Sequence, residues 1–175
     1  MTHIVLSAET TVSAPADAVW AVLADYARDP QWRRGVRSMV PTPAGPVRTG
    51  TTTREVLRAA GRTTHNDGVV TEVAPGRRFT WRTTAGVEAE GARDVEPLPG
   101  GTCRVRLELR VRPPGLLRLA PGPLRRLLAR GLRGDLTRLR ALVESGPVPD
   151  GSGQEARTKN SSALPSGSLN DRARP

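Results

Sequence analysis

The strongest constraint on the fold is a run of unbroken alternation at residues 103–111, followed closely by an amphipathic segment. One face of this segment carries Cys103, Val105, Leu107, Leu109 and Val111, and the residues that alternate with them are charged. This period of two is typical of an antiparallel strand with one buried face. Residues 116–143 place leucines on one side and arginines on the other, as a helix that covers a sheet would do. The pair predicts a sheet against a long helix, with a site between them.

Turn residues divide the remaining chain into segments of strand or helix length. Residues 3–12 predict a first strand, and Ser13 is the predicted cap of a helix that ends near Tyr26, with a further helical turn at residues 29–33. Six more strands are predicted at residues 36–41, 51–58, 62–74, 78–84, 87–96 and 102–112. Because the connections are short, we expect an antiparallel meander of seven strands with two short helices and one long helix, in the α+β class.

The domain is expected to cover residues 1–145. Residues 146–175 are rich in Gly, Pro and Ser, and their larger aliphatic residues are Val148, Leu164 and Leu169. So few apolar side chains cannot offset the entropy of ordering the segment. We therefore predict a disordered tail there.

The net charge of +10 suggests a nucleic-acid partner, but the residue types argue against one. Lys159 is the one lysine among 27 basic residues, and the chain has only three Trp, one Tyr and one Phe. Readers of single strands need aromatic side chains among the cations. A basic interaction module stays an alternative, because one side of the long helix carries Arg126, Arg130, Arg133 and Arg140.

Cysteine, histidine and hydropathy patterns predict no cofactor. The single cysteine, Cys103, lies on the apolar face of its strand and is expected to be a small buried side chain. Two distant histidines and scattered carboxylates do not meet metal-ligand spacing, so we expect no metal. No apolar run reaches the length of a membrane span and no signal-peptide pattern is present, so we expect a soluble, cytoplasmic protein. The sequence does not predict the oligomeric state.

One acidic residue interrupts the apolar side of the long helix. Asp135 projects among Leu124, Leu128 and Leu139, and Gly131 leaves the neighbouring surface without a side chain. A buried carboxylate is costly unless it is paired. Asp135 therefore forms an i, i+3 pair with Arg138 or contributes to a site.

Several short motifs carry a resemblance to a known family. They are VSAPADAVWAVLAD at residues 12–25, QW at 31–32, VTEVAPGRRFTW at 70–81, EPLPGGT at 96–102 and LTRLRALVE at 136–144. Across residues 3–145 the chain resembles the START-like helix-grip superfamily, in particular its polyketide cyclase/dehydrase group, the SRPBCC proteins. The resemblance implies a curved sheet that wraps the C-terminal helix around an apolar pocket for lipids, polyketides or other hydrophobic molecules.

The resemblance implies no particular catalytic residue, because the matching motifs mark structural positions. It places the face of Phe79, Trp81 and Thr83 inward, and the alternation of residues 87–96 places Gly91 and Arg93 inward as well. The expected ligand-binding residues are Phe79, Trp81, Thr83, Gly91, Arg93, Leu107, Leu128, Gly131 and Asp135.

Arg93 is the most specific of these candidates. Its guanidinium could hold a carboxylate or enolate oxygen with two hydrogen bonds, unless a shifted register places it in solvent. An Arg93–Asp135 pair across the cavity would then orient the polar end of an apolar ligand.

A hydrophobic-ligand binder is the leading interpretation, and a polyketide cyclase or dehydratase is the alternative. In that alternative His65 and Asp135 are candidate acid–base residues. The polar pattern around His65 also fits an exposed strand residue.

Overall fold

The protein is described by a computed structural model that covers residues 3–59, 61–113, 115 and 121–145. The elements, in chain order, are β1 (Ile4–Val12), α1 (Ala16–Leu23), a 3₁₀ turn (Tyr26–Arg28), α2 (Asp29–Trp32), β2 (Val36–Thr42), β3 (Thr52–Ala59), β4 (Arg62–Ala74), β5 (Arg78–Ala85), β6 (Ala89–Leu98), β7 (Thr102–Val111) and α3 (Pro121–Glu144). The predicted tail and the first residues of the predicted long helix lie outside the described residues.

The seven strands form one antiparallel sheet in the order β1-β7-β6-β5-β4-β3-β2. Strands β2 to β7 follow one another as a meander, and β1 closes the order by pairing with β7 from Ile4↔Val111 to Val12↔Cys103. This arrangement confirms the predicted α+β helix-grip architecture, including the curved sheet and the long C-terminal helix.

The alternating pattern of β7 is matched by that of its partner strand, β1. Apolar residues of β1 and β7 stand opposite one another on the same side of the sheet, where Val12, Cys103 and Val105 are fully buried. Helix α3 packs mainly along β1 and places Leu136 and Leu139 against this row. Burial raises the pKa of the Cys103 thiol, and the cysteine behaves as the small buried side chain that was predicted.

The start of α1 differs from the prediction. Pro15 occupies the N-cap position without a side-chain hydrogen bond, so the prediction of Ser13 as the cap was wrong. The Ser13 backbone N–H instead donates to Oε1 of Glu144 at 2.7 Å, which ties the end of β1 to the end of α3. This contact, together with Arg140, lowers the pKa of Glu144.

Candidate functional site

The side of the sheet that faces the helices is called the inner face here. On β5 it carries Phe79, Trp81 and Thr83, which are paired across β6 and β4 with Arg93, Gly91 and Gly68. The sequence pattern did not decide the orientation of β3 and β4. The structure places buried or half-buried Thr53, Glu55, Leu57, Asn66 and Val70 on the inner face.

Arg93 lies in the interior and is bound by the protein itself. Its Nη1 and Nη2 donate to Oδ1 and Oδ2 of Asp29 at 2.7 and 2.6 Å, and Nη1 also donates to the Leu23 carbonyl at 3.0 Å. Both side chains are almost completely buried. The inward orientation of Arg93 is confirmed, but its partner is Asp29 of α2, and the hypothesis of an Arg93–Asp135 pair was wrong.

Three aromatic rings surround the guanidinium of Arg93. Its central carbon lies 4.7 Å from the ring centroid of Tyr26, 5.0 Å from that of Trp32 and 5.4 Å from that of Phe79. Such cation–π contacts are strongest where water is excluded. Burial raises the pKa of Tyr26 to about 12. Because carboxylate and rings enclose Arg93, its two terminal nitrogens already have partners before any ligand arrives.

Asp135 has a structural role at the joint between α2, β2 and α3. Its Oδ1 accepts from the Arg34 backbone N–H at 3.1 Å and from Nη2 of Arg138. Arg138 in turn donates from Nε to the Trp32 carbonyl at 2.9 Å. The i, i+3 interpretation of Asp135 is therefore confirmed. Its carboxylate holds the backbone that follows α2.

A chain of charged and polar groups leads from Asp29 to the inner face. Nη1 of Arg33 lies 2.9 Å from Oδ2 of Asp29 and 2.9 Å from Oε1 of Glu55. Nδ2 of Asn66 donates to Oε2 of Glu55 at 2.9 Å, and Oδ1 of Asn66 accepts from the Val87 N–H at 3.0 Å. Burial opposes the charge on Arg33, but Asp29 and Glu55 raise its pKa above the ordinary value. This polar chain joins α2 to β3 and β4.

In this group of polar side chains, the Glu55 carboxylate is only partly hydrogen-bonded, through its Oε2. Its side chain is 12% exposed, and Oε1 accepts no hydrogen bond from the described residues although Arg33 lies beside it. A buried carboxylate oxygen without a donor costs free energy. Because Oε1 is itself covered, the charge of Arg33, whose Nη1 lies 2.9 Å away, compensates it.

Apolar side chains on the inner side are only half-buried beyond the packed core. Trp81 and Leu57 border the cluster around Phe79, and a third cluster at the start of α3 includes half-buried Val87, Leu109, Leu124, Leu128 and Leu132. Packing between sheet and helix is therefore complete near Leu136 and Leu139 and incomplete towards the first half of α3.

The other expected site residues divide into core, wall and exposed positions. Phe79 and Leu107 are core residues, at 1% and 5% exposure. Oγ1 of Thr83 is engaged with the backbone of Ala89, at 2.9 Å to its N and 3.1 Å to its O. His65 is exposed and alternates with the buried Asn66, in line with the simpler interpretation of its sequence.

The two glycines do not provide space as expected. A Cβ at Gly91 would overlap the Glu108 carbonyl and would lie 2.9 Å from the Trp81 ring, so the indole already fills this space. Gly131 is exposed, and a Cβ there would have no described atom within 4 Å. Neither glycine opens a gap beside Arg93.

Sequence reasoning missed Asp29, Arg33, Glu55 and Asn66. Asp29 and Arg33 stand four apart in a predicted helical turn, which is a signal for a local ion pair. Glu55 and Asn66 become neighbours only through the β3–β4 register, and the polar residues of both strands conceal their inner face.

The described residues contain no cluster of three or more His, Cys, Asp or Glu side chains that could hold a metal. Two clefts open on other surfaces. One, of about 260 Å³, lies among Arg78, Asp94 and Arg106, and the other, of about 440 Å³, lies among Arg126, Arg130 and Arg133.

Comparisons with known proteins agree with this architecture. The family model described as polyketide cyclase / dehydrase and lipid transport matches residues 3–144. A comparison with curated proteins finds no match.

Similar solved structures cover nearly the whole described domain. The Zhui aromatase/cyclase from Streptomyces sp. R1128 is 19% identical, with a TM-score of 0.68 over 82% of this chain and 94% of that one. A START superfamily protein from Mycobacterium smegmatis is 19% identical, with a TM-score of 0.66 over 82% and 98%. The di-domain ARO/CYC BexL from the BE-7585A biosynthetic pathway is 23% identical, with a TM-score of 0.64 over 82% and 47%. These likenesses establish the fold.

Proposed function

Because the chain belongs to the polyketide cyclase / dehydrase and lipid transport family, we propose that it binds a hydrophobic small molecule between the inner face and the first half of α3. The observation that carries this proposal is incomplete packing on that side. Trp81 and Leu57 of the sheet and Leu128 and Leu132 of the helix are directed inward yet remain half-buried. Removing such apolar surface from water favours binding by about 25 cal/mol per Å².

The polar end of the ligand is proposed to lie beside the linked side chains of Arg33, Glu55 and Asn66. Arg33 and Glu55 keep 24% and 12% of their side-chain surface exposed, whereas Asp29 keeps none. The partly exposed Glu55 carboxylate accepts a hydrogen bond from a ligand hydroxyl, and Arg33 beside it donates to a carbonyl or enolate oxygen. The ligand class is therefore an apolar molecule with one hydroxylated or carbonyl-bearing end. Arg93 and Asp135 are not assigned to the ligand, because both are bound by other groups of the protein.

Native mass spectrometry of the full chain, purified without detergent, tests the proposal. A co-purifying small molecule that is released on denaturation is the expected result. In parallel, the stripped protein is titrated with the uncharged fluorophore N-phenyl-1-naphthylamine. Saturable enhancement that competes with the released molecule supports a defined site. Absence of both a co-purifying molecule and saturable probe binding would overturn the proposal.

Cyclisation or dehydration of a poly-β-ketone is the second candidate function, and the partly exposed Glu55 carboxylate beside Arg33 favours it. A carboxylate in that setting can remove a proton from the carbon between two carbonyls, while Arg33 stabilises the resulting enolate oxygen. His65 does not join them, since it is exposed and alternates with the buried Asn66.

Glu55→Gln separates the two functions, because the amide keeps the shape but cannot act as a base at neutral pH. A binder retains probe binding and shows no turnover with or without the substitution. A cyclase converts a poly-β-ketone substrate, and the variant loses at least about a hundredfold in rate with little change in binding.

A further inference from the structure

The first half of α3 carries a basic surface that the proposed ligand site does not use. Arg126, Arg130 and Arg133 are exposed, and none of them forms an ion pair with another described residue. No acidic residue occurs between residues 121 and 134. Arg140, which the sequence pattern groups with them, is instead bound to Glu144 at 3.0 Å. We call Arg126, Arg130 and Arg133 the basic face.

The arginines of this surface differ from the paired arginines on the outer side of β7. On the outer side of β6 and β7, Arg104 is paired with Glu96 at 3.0 Å and Arg110 with Glu90 at 3.2 Å. Those charges are neutralised locally and project little field. The basic face has no such compensation in the described part of the chain, so its potential extends into solvent over about a Debye length.

A large apolar side chain borders the basic face. Leu127 is 61% exposed and lies one residue from Arg126 and three from Arg130 on the same helix. Residues three apart on a helix are surface neighbours. Arg126, Arg130 and Arg133 also line a shallow cleft of about 440 Å³. Cations beside an exposed aliphatic side chain are the combination found in helices that lie in the plane of a membrane interface.

We propose that the basic face docks the protein on an anionic lipid bilayer, with its three arginines at the lipid phosphates and Leu127 among the acyl chains below them. The charge pattern suits any polyanion, but Leu127 favours a bilayer, because nucleic acid or an acidic peptide would leave it in water or cover it with charge. The described helices include none that could cross a membrane, so docking is peripheral. The inference does not depend on ligand binding at the inner face.

Co-sedimentation of the full chain with lipid vesicles tests the proposal. The protein is expected to bind vesicles of equal parts phosphatidylcholine and phosphatidylserine and to remain in solution with phosphatidylcholine alone. The triple variant Arg126→Gln, Arg130→Gln, Arg133→Gln should weaken binding roughly a hundredfold, since each arginine near the surface contributes about fivefold. The matched control removes the same charge elsewhere, by Arg37→Gln, Arg54→Gln and Arg58→Gln, from exposed strand positions.

The apolar part of the proposal has its own matched pair. Leu127→Ser is expected to weaken vesicle binding several-fold, whereas Val40→Ser, at a side chain that is 54% exposed on β2, should leave it unchanged. Equal weakening by both triple variants would overturn the assigned surface. Binding to polyglutamate or duplex DNA as tight as to vesicles, and unaffected by Leu127→Ser, would overturn the assignment to lipid. Failure of the unaltered protein to bind anionic vesicles would also overturn it, whatever the outcome of the N-phenyl-1-naphthylamine titration.

Discussion

Arg93 of β6 and Asp29 of α2 are joined inside the protein by two parallel hydrogen bonds of 2.7 and 2.6 Å. The pair links residues that are 64 positions apart and fixes the short helices against the middle of the sheet. A buried ion pair gains little net stability over an apolar pair, but losing one partner leaves the other charge stranded. The pair therefore determines where α2 lies, and with it the position of Arg33, the residue that follows α2 and reaches the candidate site.

Arg93→Met is expected to lower the free energy of unfolding by about 3 to 5 kcal/mol, because Asp29 keeps only Arg33 as a charged partner among the described residues. Urea unfolding followed by far-UV circular dichroism measures the loss. Arg82→Met, at an exposed position of β5, is the control and should change stability by less than about 0.5 kcal/mol. A loss below about 1 kcal/mol at Arg93 would contradict this account of the pair.

Tyr26 is the one tyrosine of the chain and reports on the same interior. Because burial raises its pKa to about 12, the folded protein keeps the phenol protonated at a pH where the unfolded chain, near pKa 10, loses the proton. Its contribution to stability is complete below pH 10 and is lost as the pH rises towards 12, by about 2 to 3 kcal/mol. Tyrosinate absorbance should appear well above pH 10, and Tyr26→Phe should remove this part of the pH dependence. Tyrosinate formation with a midpoint near pH 10 in the folded protein would count against a buried Tyr26.

Two glycines that were expected to line the ligand site should respond in opposite ways to alanine. Gly131→Ala adds a methyl group in open space on a helix and should stabilise the protein by about 1 kcal/mol. Gly91→Ala places the methyl group against the Glu108 carbonyl and the Trp81 ring, and should cost about 1 to 3 kcal/mol. Thermal unfolding of the two variants tests both signs. Equal effects would mean that the space beside Gly91 is not filled.

The sequence predicted the sheet well, because strand periodicity and turn residues are local signals. The alternating pattern of β7 can be recognised from that strand alone. Its partner β1 carries a matching row of apolar residues. The partner of Arg93 could not be predicted in this way. Asp29 and Asp135 both lie in helices, so the sequence does not distinguish them as partners of Arg93. Only the packing of α2 against the sheet brings Asp29 to Arg93. Glu55 was missed for a related reason: its inner orientation follows from the pairing of β3 with β4, since the residues of both strands are largely polar.

Asp135 and Arg138 should behave as a structural pair. Alanine at either position removes a hydrogen bond to the backbone of Arg34 or Trp32, and each should cost about 1 to 2 kcal/mol. A double-mutant cycle on urea unfolding should give a coupling of at least about 0.5 kcal/mol. Neither variant should change affinity for N-phenyl-1-naphthylamine by more than about twofold, because the carboxylate is used by the backbone. A large loss of probe affinity with intact stability would return Asp135 to the ligand site.

Adjacent leucines of α3 provide the sharpest test of which side of the helix meets a ligand. Leu128 is half-buried towards the sheet, whereas Leu127 faces solvent. Leu128→Gln should weaken binding of N-phenyl-1-naphthylamine roughly tenfold, because it removes apolar contact worth about 1.5 kcal/mol and introduces an amide without a partner. Leu127→Gln makes the same chemical change one residue away and should leave probe affinity unchanged. Unfolding curves of both variants separate a loss of binding from a loss of structure. Equal probe affinity in the two variants, with both folded, would exclude the first half of α3 as a wall of the ligand site.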